Sequence, residues 1–311
     1  MKYFKLKNKF FVHVFFFAFL AGCVSKNNEI EVNKLLDFDI SPNGQSIVFS
    51  WLKENSKATV YQANIDGTEP HEIVHLSDSL SSYLPRYSHD GDKIVLVRRK
   101  FGAINSSIWI TDANGLKQIT DSNSLVVEAI FSHDDVNLYF SKANDYDSYS
   151  PLASKAAHGF DIYLFDLFKK ESVKVSNLNA YSLYNITDLN NNEMLLSMHH
   201  KNDGVFIYRK SKNVFERIVA SNGVGNTSGY SNPVVVDSVN IVCSSYYELV
   251  DFNTESKTEK QILASTGTHF KIIRFNRKLR KIFFQKRDDS NSIFSVNIDG
   301  SDLREIPINI K

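Results

Sequence analysis

Cysteine is nearly absent from this chain: 311 residues contain two, Cys23 and Cys243. That pair cannot supply a disulfide framework or a cysteine-rich zinc site. Cys243 sits in the apolar run Ile241-Val242-Cys243, which reads as a buried, inert thiol. There is no Gly-x-Ser-x-Gly elbow and no glycine-rich phosphate loop, so two common catalytic layouts are excluded. There is little excess charge, with 36 basic residues against 35 acidic ones. The first 22 residues hold four lysines and no acid; without them the balance is 32 to 35. A nucleic-acid partner wants a strongly basic surface, and none is expected here. The one long apolar run is Phe10 to Leu20, and helical periodicity is almost missing after Cys23. Aromatic residues are plentiful instead, at 13%.

Lys2, Lys5, Lys7 and Lys9 precede the apolar run, which is broken only by His13. Spanning a bilayer takes roughly 20 apolar residues, so this run is too short to do so comfortably. The layout is that of a secretory signal. Leu20-Ala21-Gly22-Cys23 then resembles the lipobox of bacterial lipoproteins. The resemblance implies a diacylglyceryl group on the Cys23 thiol and cleavage just before it. Residues 1–22 would be the signal peptide and 23–35 a lipidated N-terminus and tether. An ordinary secretory signal and a retained anchor helix are the alternatives. Against the second, Ser25-Lys26-Asn27-Asn28 ends the apolar run early. Two or more acyl chains anchor stably, because each buried CH₂ contributes about 0.8 kcal/mol. By the same resemblance, Val24 rather than Asp after the cysteine points to the outer membrane of a two-membrane host.

The remainder repeats one pattern: a strand, a tight turn, an apolar strand and a second hairpin. One copy holds Ser41-Pro42-Asn43-Gly44, Ile47-Val48-Phe49 and Asp66-Gly67. The next holds Ser88-His89-Asp90-Gly91, Ile94 to Val97 and Ile108-Trp109. A third has Ser132-His133-Asp134-Asp135, Leu138-Tyr139-Phe140 and Ile162-Tyr163. Two worn copies follow, around Met194 to Met198 and around Ile241 to Cys243. A sixth has Ile282-Phe283-Phe284, Ile293-Phe294 and Asp299-Gly300. The period is roughly 40 to 56 residues, the range of four-stranded propeller blades. Asn-Gly and Asp-Gly close tight hairpins because they take positive φ at low cost. One such unit cannot bury both its faces, whereas a radial stack can.

The Ser41–Gly44 and Ser88–Gly91 turns resemble the Ser-Pro-Asp-Gly signature of TolB-like β-propeller repeats. The resemblance covers about residues 36 to 308, with the first, second and sixth copies nearest the pattern. It implies an all-β fold: a six-bladed β-propeller over 36–311, with four antiparallel strands per blade. TolB carries a further N-terminal α/β domain, for which no room is expected between Cys23 and Leu36. Glu29-Ile30-Glu31-Val32 is expected to add a short strand or to serve as the tether.

In this family the first strand of each blade lies innermost. Residues near its start would ring one mouth of the central channel: Asp37, Asp39, Tyr83, Arg86, Glu128, Tyr184, Asn185, Tyr230, Asn232, His269 and Lys271. The longest insertion, about Lys142 to Gly159, lies between the second and third strands of the third blade. It carries Asp145, Tyr146, Asp147, Tyr149 and His158. Long loops in compact domains are functional or mobile, and this one is open to either reading. The candidate binding set is Tyr83, Arg86, Glu128, Tyr146, Tyr149, His158 and His269. Asp145, Asp147 and Asp161 suggest calcium but lack a glycine turn and regular spacing. His199 and His200 are adjacent, so in a strand they point to opposite sides. No catalytic set, metal or cofactor is expected.

Two functions are compatible with these residues. The first is a lipid-anchored scaffold binding an envelope protein or peptide. The second is a propeller enzyme, lyase- or cyclotransferase-like, acting on a glycan or peptide with Arg86, Glu128, His158 or His269 at the channel. The fold alone does not choose between them.

Overall fold

The computed structural model describes residues 33–53, 57–74, 79–100, 102–148, 154–200, 203–221, 229–289 and 291–310. Cys23, the Glu29–Val32 segment and Tyr149 lie outside them. Twenty-four strands form six sheets of four, each built from one contiguous stretch of chain. Blade 1 is β1 (Lys34–Ile40), β2 (Ser46–Leu52), β3 (Ala58–Asn64) and β4 (His71–Glu72). Blade 2 is β5 (Leu80–Tyr87), β6 (Ile94–Lys100), β7 (Ser107–Asp112) and β8 (Gly115–Gln118). Blade 3 is β9 (Leu125–Phe131), β10 (Asn137–Asp147), β11 (Ala156–Asp166) and β12 (Glu171–Lys174). Blade 4 is β13 (Ser182–Asn190), β14 (Glu193–His199), β15 (Gly204–Arg209) and β16 (Val214–Arg217). Blade 5 is β17 (Tyr230–Val235), β18 (Asn240–Ser245), β19 (Glu248–Asn253) and β20 (Thr258–Ala264). Blade 6 is β21 (Phe270–Asn276), β22 (Lys281–Lys286), β23 (Ser292–Asn297) and β24 (Arg304–Pro307). Every pairing within a blade is antiparallel, in sequence order. The first strands touch one another in a closed ring, β1 meeting both β5 and β21. The protein is a six-bladed β-propeller, as the repeats predict.

The turn signature works through one serine. Ser41, Ser88 and Ser132 each donate their hydroxyl to the side chain two residues on, Asn43, Asp90 or Asp134. Each hydroxyl also accepts the backbone N–H that opens the next strand, from Ser46, Lys93 or Asn137. The fourth turn residue adopts positive φ: Gly44 at 69°, Gly91 at 83° and Asp135 at 56°. Asp tolerates that region, so the third copy keeps the turn without glycine. Its carboxylate then accepts the backbone N–H groups of His89 and Asp90 and ties blade 3 to blade 2.

Both faces of each sheet are buried. In β2, Ile47 and Phe49 pack toward blade 6 with Phe283 and Ile293. Val48, between them, packs toward blade 2 with Ile94 and Leu96. This is why the middle strands are continuous apolar runs rather than alternating ones. The ring closes without a shared blade. Arg274 Nε donates to the Phe38 carbonyl at 3.1 Å, and Asn276 to the Ser41 carbonyl at 2.9 Å. Ile308 and Ile310, beyond the last strand, pack into the blade 1 core.

The sequence suggested a loop from about 142 to 159. Instead, β10 and β11 extend into it as a hairpin, with Asp145 opposite His158 and Asp147 opposite Ala156. Cross-strand pairs hold this stretch as a sheet. Asn144 to Asp147 of β10 run on beyond β9, whose pairing with β10 ends at Leu125 and Ala143.

Candidate functional site

Each innermost strand carries a one-residue bulge at the same level. The extra residue is Leu36 in β1 and Val127 in β9. In the other four blades a pair opposes a single residue: Leu84-Pro85, Asn185-Ile186, Asn232-Pro233 and Ile272-Ile273. Leu84, Asn185, Asn232 and Ile272 sit at φ between 51° and 54°. Left-handed backbone is an outlier for a β-branched residue such as Ile272, and such geometry clusters at functional sites. Bulges re-aim side chains. Here they set Asp37, Arg86, Glu128, Asn185, Asn232 and Arg274 at the inner ring.

These groups form a girdle of two hydrogen-bonded sets. Arg86 grips Asp37 with both terminal nitrogens, at 3.2 and 3.1 Å. Arg274 reaches the same carboxylate at 3.1 Å and Asp39 at 3.5 Å. Asp39 accepts the Tyr87 N–H at 2.9 Å. Across the ring, Glu128 Oε1 accepts the Ile186 N–H at 2.6 Å, and Asn185 donates to Asn232 at 2.6 Å. Burial pushes the Glu128 carboxyl up to about 7, against the pull of Arg86. Burial also raises Asp39 above the usual carboxylate range. Arg274 is held below the usual guanidinium value by burial and by neighbouring Arg86. Burial pulls Arg86 down too, but Asp37 and Asp39 outweigh it and keep it high. The site therefore sets two arginines near one carboxyl, Glu128, that changes its protonation near neutrality.

Beside Glu128, Tyr184 makes a 3.0 Å hydrogen bond with His199 Nε2, and His199 Nδ1 lies 3.3 Å from Asp203. His200 pairs with Tyr181 instead, so the two adjacent histidines do have different partners. Arg86 and Glu128 both join the girdle, but not at strand starts: Arg86 is the seventh of the eight residues of β5 and Glu128 the fourth of the seven of β9. Other candidates lie elsewhere. Tyr83 is buried between blades 1 and 2 against Leu52 and Ala58, covered by the Arg99 guanidinium at 4.8 Å. Tyr230 leaves the mouth altogether, because its hydroxyl bonds Glu259 on β20. Tyr146 is exposed on the hairpin, where His158 Nε2 meets Asp147 at 2.5 Å. His269 lies on the rim of blades 5 and 6, its ring 4.6 Å from that of Tyr247.

Asp161, fully buried, accepts from Ser176, Leu178 and Asn144 and pairs with Lys174 at 2.6 Å. It is thereby committed to holding blade 3 together. Among the described residues no three His, Cys, Asp or Glu side chains converge as metal ligands. Cys243 is fully buried, and burial pushes its thiol up. The sequence reading missed Arg274. Its signal was its place two residues past Ile272, where a bulge turns it inward.

No family model matches the sequence, and no curated protein matches it in sequence. Solved structures do match in fold. TolB from Acinetobacter baumannii superposes with a TM-score of 0.66 at 14% identity, over 86% of this chain. This chain spans 64% of that protein's length. The tricorn protease gives 0.63 at 17% identity, over 90% of this chain and 27% of that one. An oligogalacturonate lyase in complex with manganese gives 0.59 at 11% identity, over 88% and 76%. The architecture is accordingly a TolB-like propeller, a fold shared by proteins of different activities.

Proposed function

We propose that the protein is a lipid-anchored lipoprotein of the bacterial envelope that binds a protein or peptide partner at one mouth of the channel. One observation carries the binding site. The antiparallel order within each blade puts β2–β3-type loops on the face where innermost strands begin. The blade 3 hairpin, with Tyr146 and His158, therefore rises on that face, and we read it as the rim of the mouth through which a partner approaches Arg86 and Glu128. Aromatic and charged groups around a recess suit a binding surface. The anchor reading rests on the lipobox resemblance at Cys23, and the outer-membrane location rests on Val24. Membrane and envelope protein are thus the partners, with no cofactor invoked.

The test is capture of partners from envelope extracts by the full chain, with bound proteins identified by mass spectrometry. Tyr146→Ala, Tyr149→Ala and removal of residues 145 to 156 should each weaken capture at least about tenfold, as for a binding anchor. Lys117→Ala on the outer strand β8 should not. Arg86→Ala also breaks a buried ion pair, so its effect is read only beside its melting temperature. Equal losses from Lys117→Ala would move the site to the propeller's side.

Glu128 favours a second reading. A carboxyl poised near 7 beside Arg86 can give or take a proton near neutrality. Oligogalacturonate lyases share the fold. Turnover of oligogalacturonate to an unsaturated, ultraviolet-absorbing product, abolished by Glu128→Gln, would make the protein an enzyme. No turnover leaves the scaffold reading.

A further inference from the structure

The hairpin between β18 and β19 is closed by two tyrosines, Tyr246 and Tyr247, with Ser245 paired to Glu248. Both favoured two-residue hairpin turns need positive φ at the first central residue, a place for glycine, asparagine or aspartate. Tyr246 holds it at 51°. A bulky side chain there is strained, and strain of this kind persists where the surroundings enforce it. The Tyr246 ring lies on Gly229, where an added Cβ would come within 2.8 Å of it, yet 60% of the residue stays exposed. Tyr247 is 43% exposed, its ring beside that of His269, whose Nδ1 is 3.0 Å from the Tyr246 carbonyl. The strained turn therefore displays two aromatic faces where a glycine would have closed the hairpin more easily.

We propose that Tyr246, Tyr247 and His269 form a platform that stacks the ring face of a neutral oligosaccharide. Two observations favour a sugar. First, among the described residues the exposed tyrosines, Tyr146, Tyr181, Tyr246 and Tyr247, all lie on this face. Exposed Val136, Phe168, Leu279 and Leu303 lie in turns of the opposite one. A pyranose offers an apolar C–H face and a hydroxyl rim, which match a tyrosine ring and its phenol; side chains without a hydroxyl, Phe168 included, match only the first. Second, the charged residues that adjoin Tyr247 and His269 along the chain and its pairings balance, Glu248 and Asp288 against Lys271 and Arg287. That balance selects no charge in the ligand. The platform belongs to blades 5 and 6, across the ring from the blade 3 hairpin, and does not depend on the channel-mouth proposal.

The test titrates the full chain with chitotetraose, cellotetraose and maltotetraose, followed by calorimetry and tyrosine fluorescence. At least one should bind, and Tyr246→Gly and Tyr247→Ala should each weaken it about tenfold or more. Tyr246→Gly should not lower the melting temperature, because glycine takes this φ freely. Tyr146→Ala should bind as wild type. The idea is overturned if none of the three sugars binds at millimolar concentration. It is equally overturned if both platform variants bind like wild type. Loss of peptide capture in these variants, with no sugar bound, would assign the platform to a protein partner and overturn it too.

Discussion

Glu128 is a residue whose chemistry was decided by its burial. At 4% exposed, it holds its proton up to about pH 7, against 4.5 for the free side chain. Between those values the folded protein binds a proton that the unfolded chain has lost. Its stabilising effect is therefore complete below about 4.5 and declines as pH rises through 7. From pH 5 to pH 8 the loss should be on the order of 2–3 kcal/mol. Glu128→Gln keeps an oxygen for the Ile186 N–H and removes the titration. Urea unfolding at the two pH values should show a decline for wild type that is flattened in the variant; equal declines would refute the assignment. The turn acids behave oppositely: the Ser88 and Ser132 hydroxyls hold Asp90 and Asp134 below the usual range. Their contribution fails only at acid pH, so the two effects separate experimentally.

Among the elements, the strands and their turns were legible from side chains two to five residues apart. The Ser-x-Asn/Asp turn needs nothing else, and it recurs in blades 1 to 3 with the same bonds. The blade 3 hairpin was read as a loop because its pairs, such as Asp145 with His158, span a turn with no strong signature. The C-terminal segment was not singled out, although it acts as a latch. Ile308 is 1% exposed and its N–H donates to the Asn291 carbonyl at 2.9 Å. Fully burying an isoleucine side chain is worth roughly 1.5–3 kcal/mol. Truncation after Pro307 should therefore cost roughly 2–4 kcal/mol once partly buried Ile310 is included. An unchanged denaturation midpoint would show that blades 1 and 6 hold together without the latch.

For the whole molecule, the ring requires that six similar sheets bury twelve faces against one another. The chain meets this with apolar middle strands and seals the last seam with side chains rather than a shared strand. The proposed attachment to a membrane is tested at this scale as well. Cys23→Ser should abolish acylation and release the protein from the detergent phase on temperature-induced partitioning. Wild-type protein that is soluble and unmodified at Cys23 would remove the anchor from the account, leaving the propeller untouched.

The sequence by itself determined the repeat, the turns and hence the number of blades, because hydrophobic runs and turn chemistry are local. It also singled out Arg86 and Glu128, which do lie on innermost strands, though at neither strand's start. Only the tertiary structure decided which neighbours they met. Asp37 and Arg274 are 237 residues apart in sequence, and ring closure brings them to 3.1 Å. Tyr83 and Tyr230 lie on innermost strands just as Arg86 does, yet they turn between blades. A one-residue bulge reverses which face each side chain takes, and a bulge is set by packing across the ring rather than by any residue type.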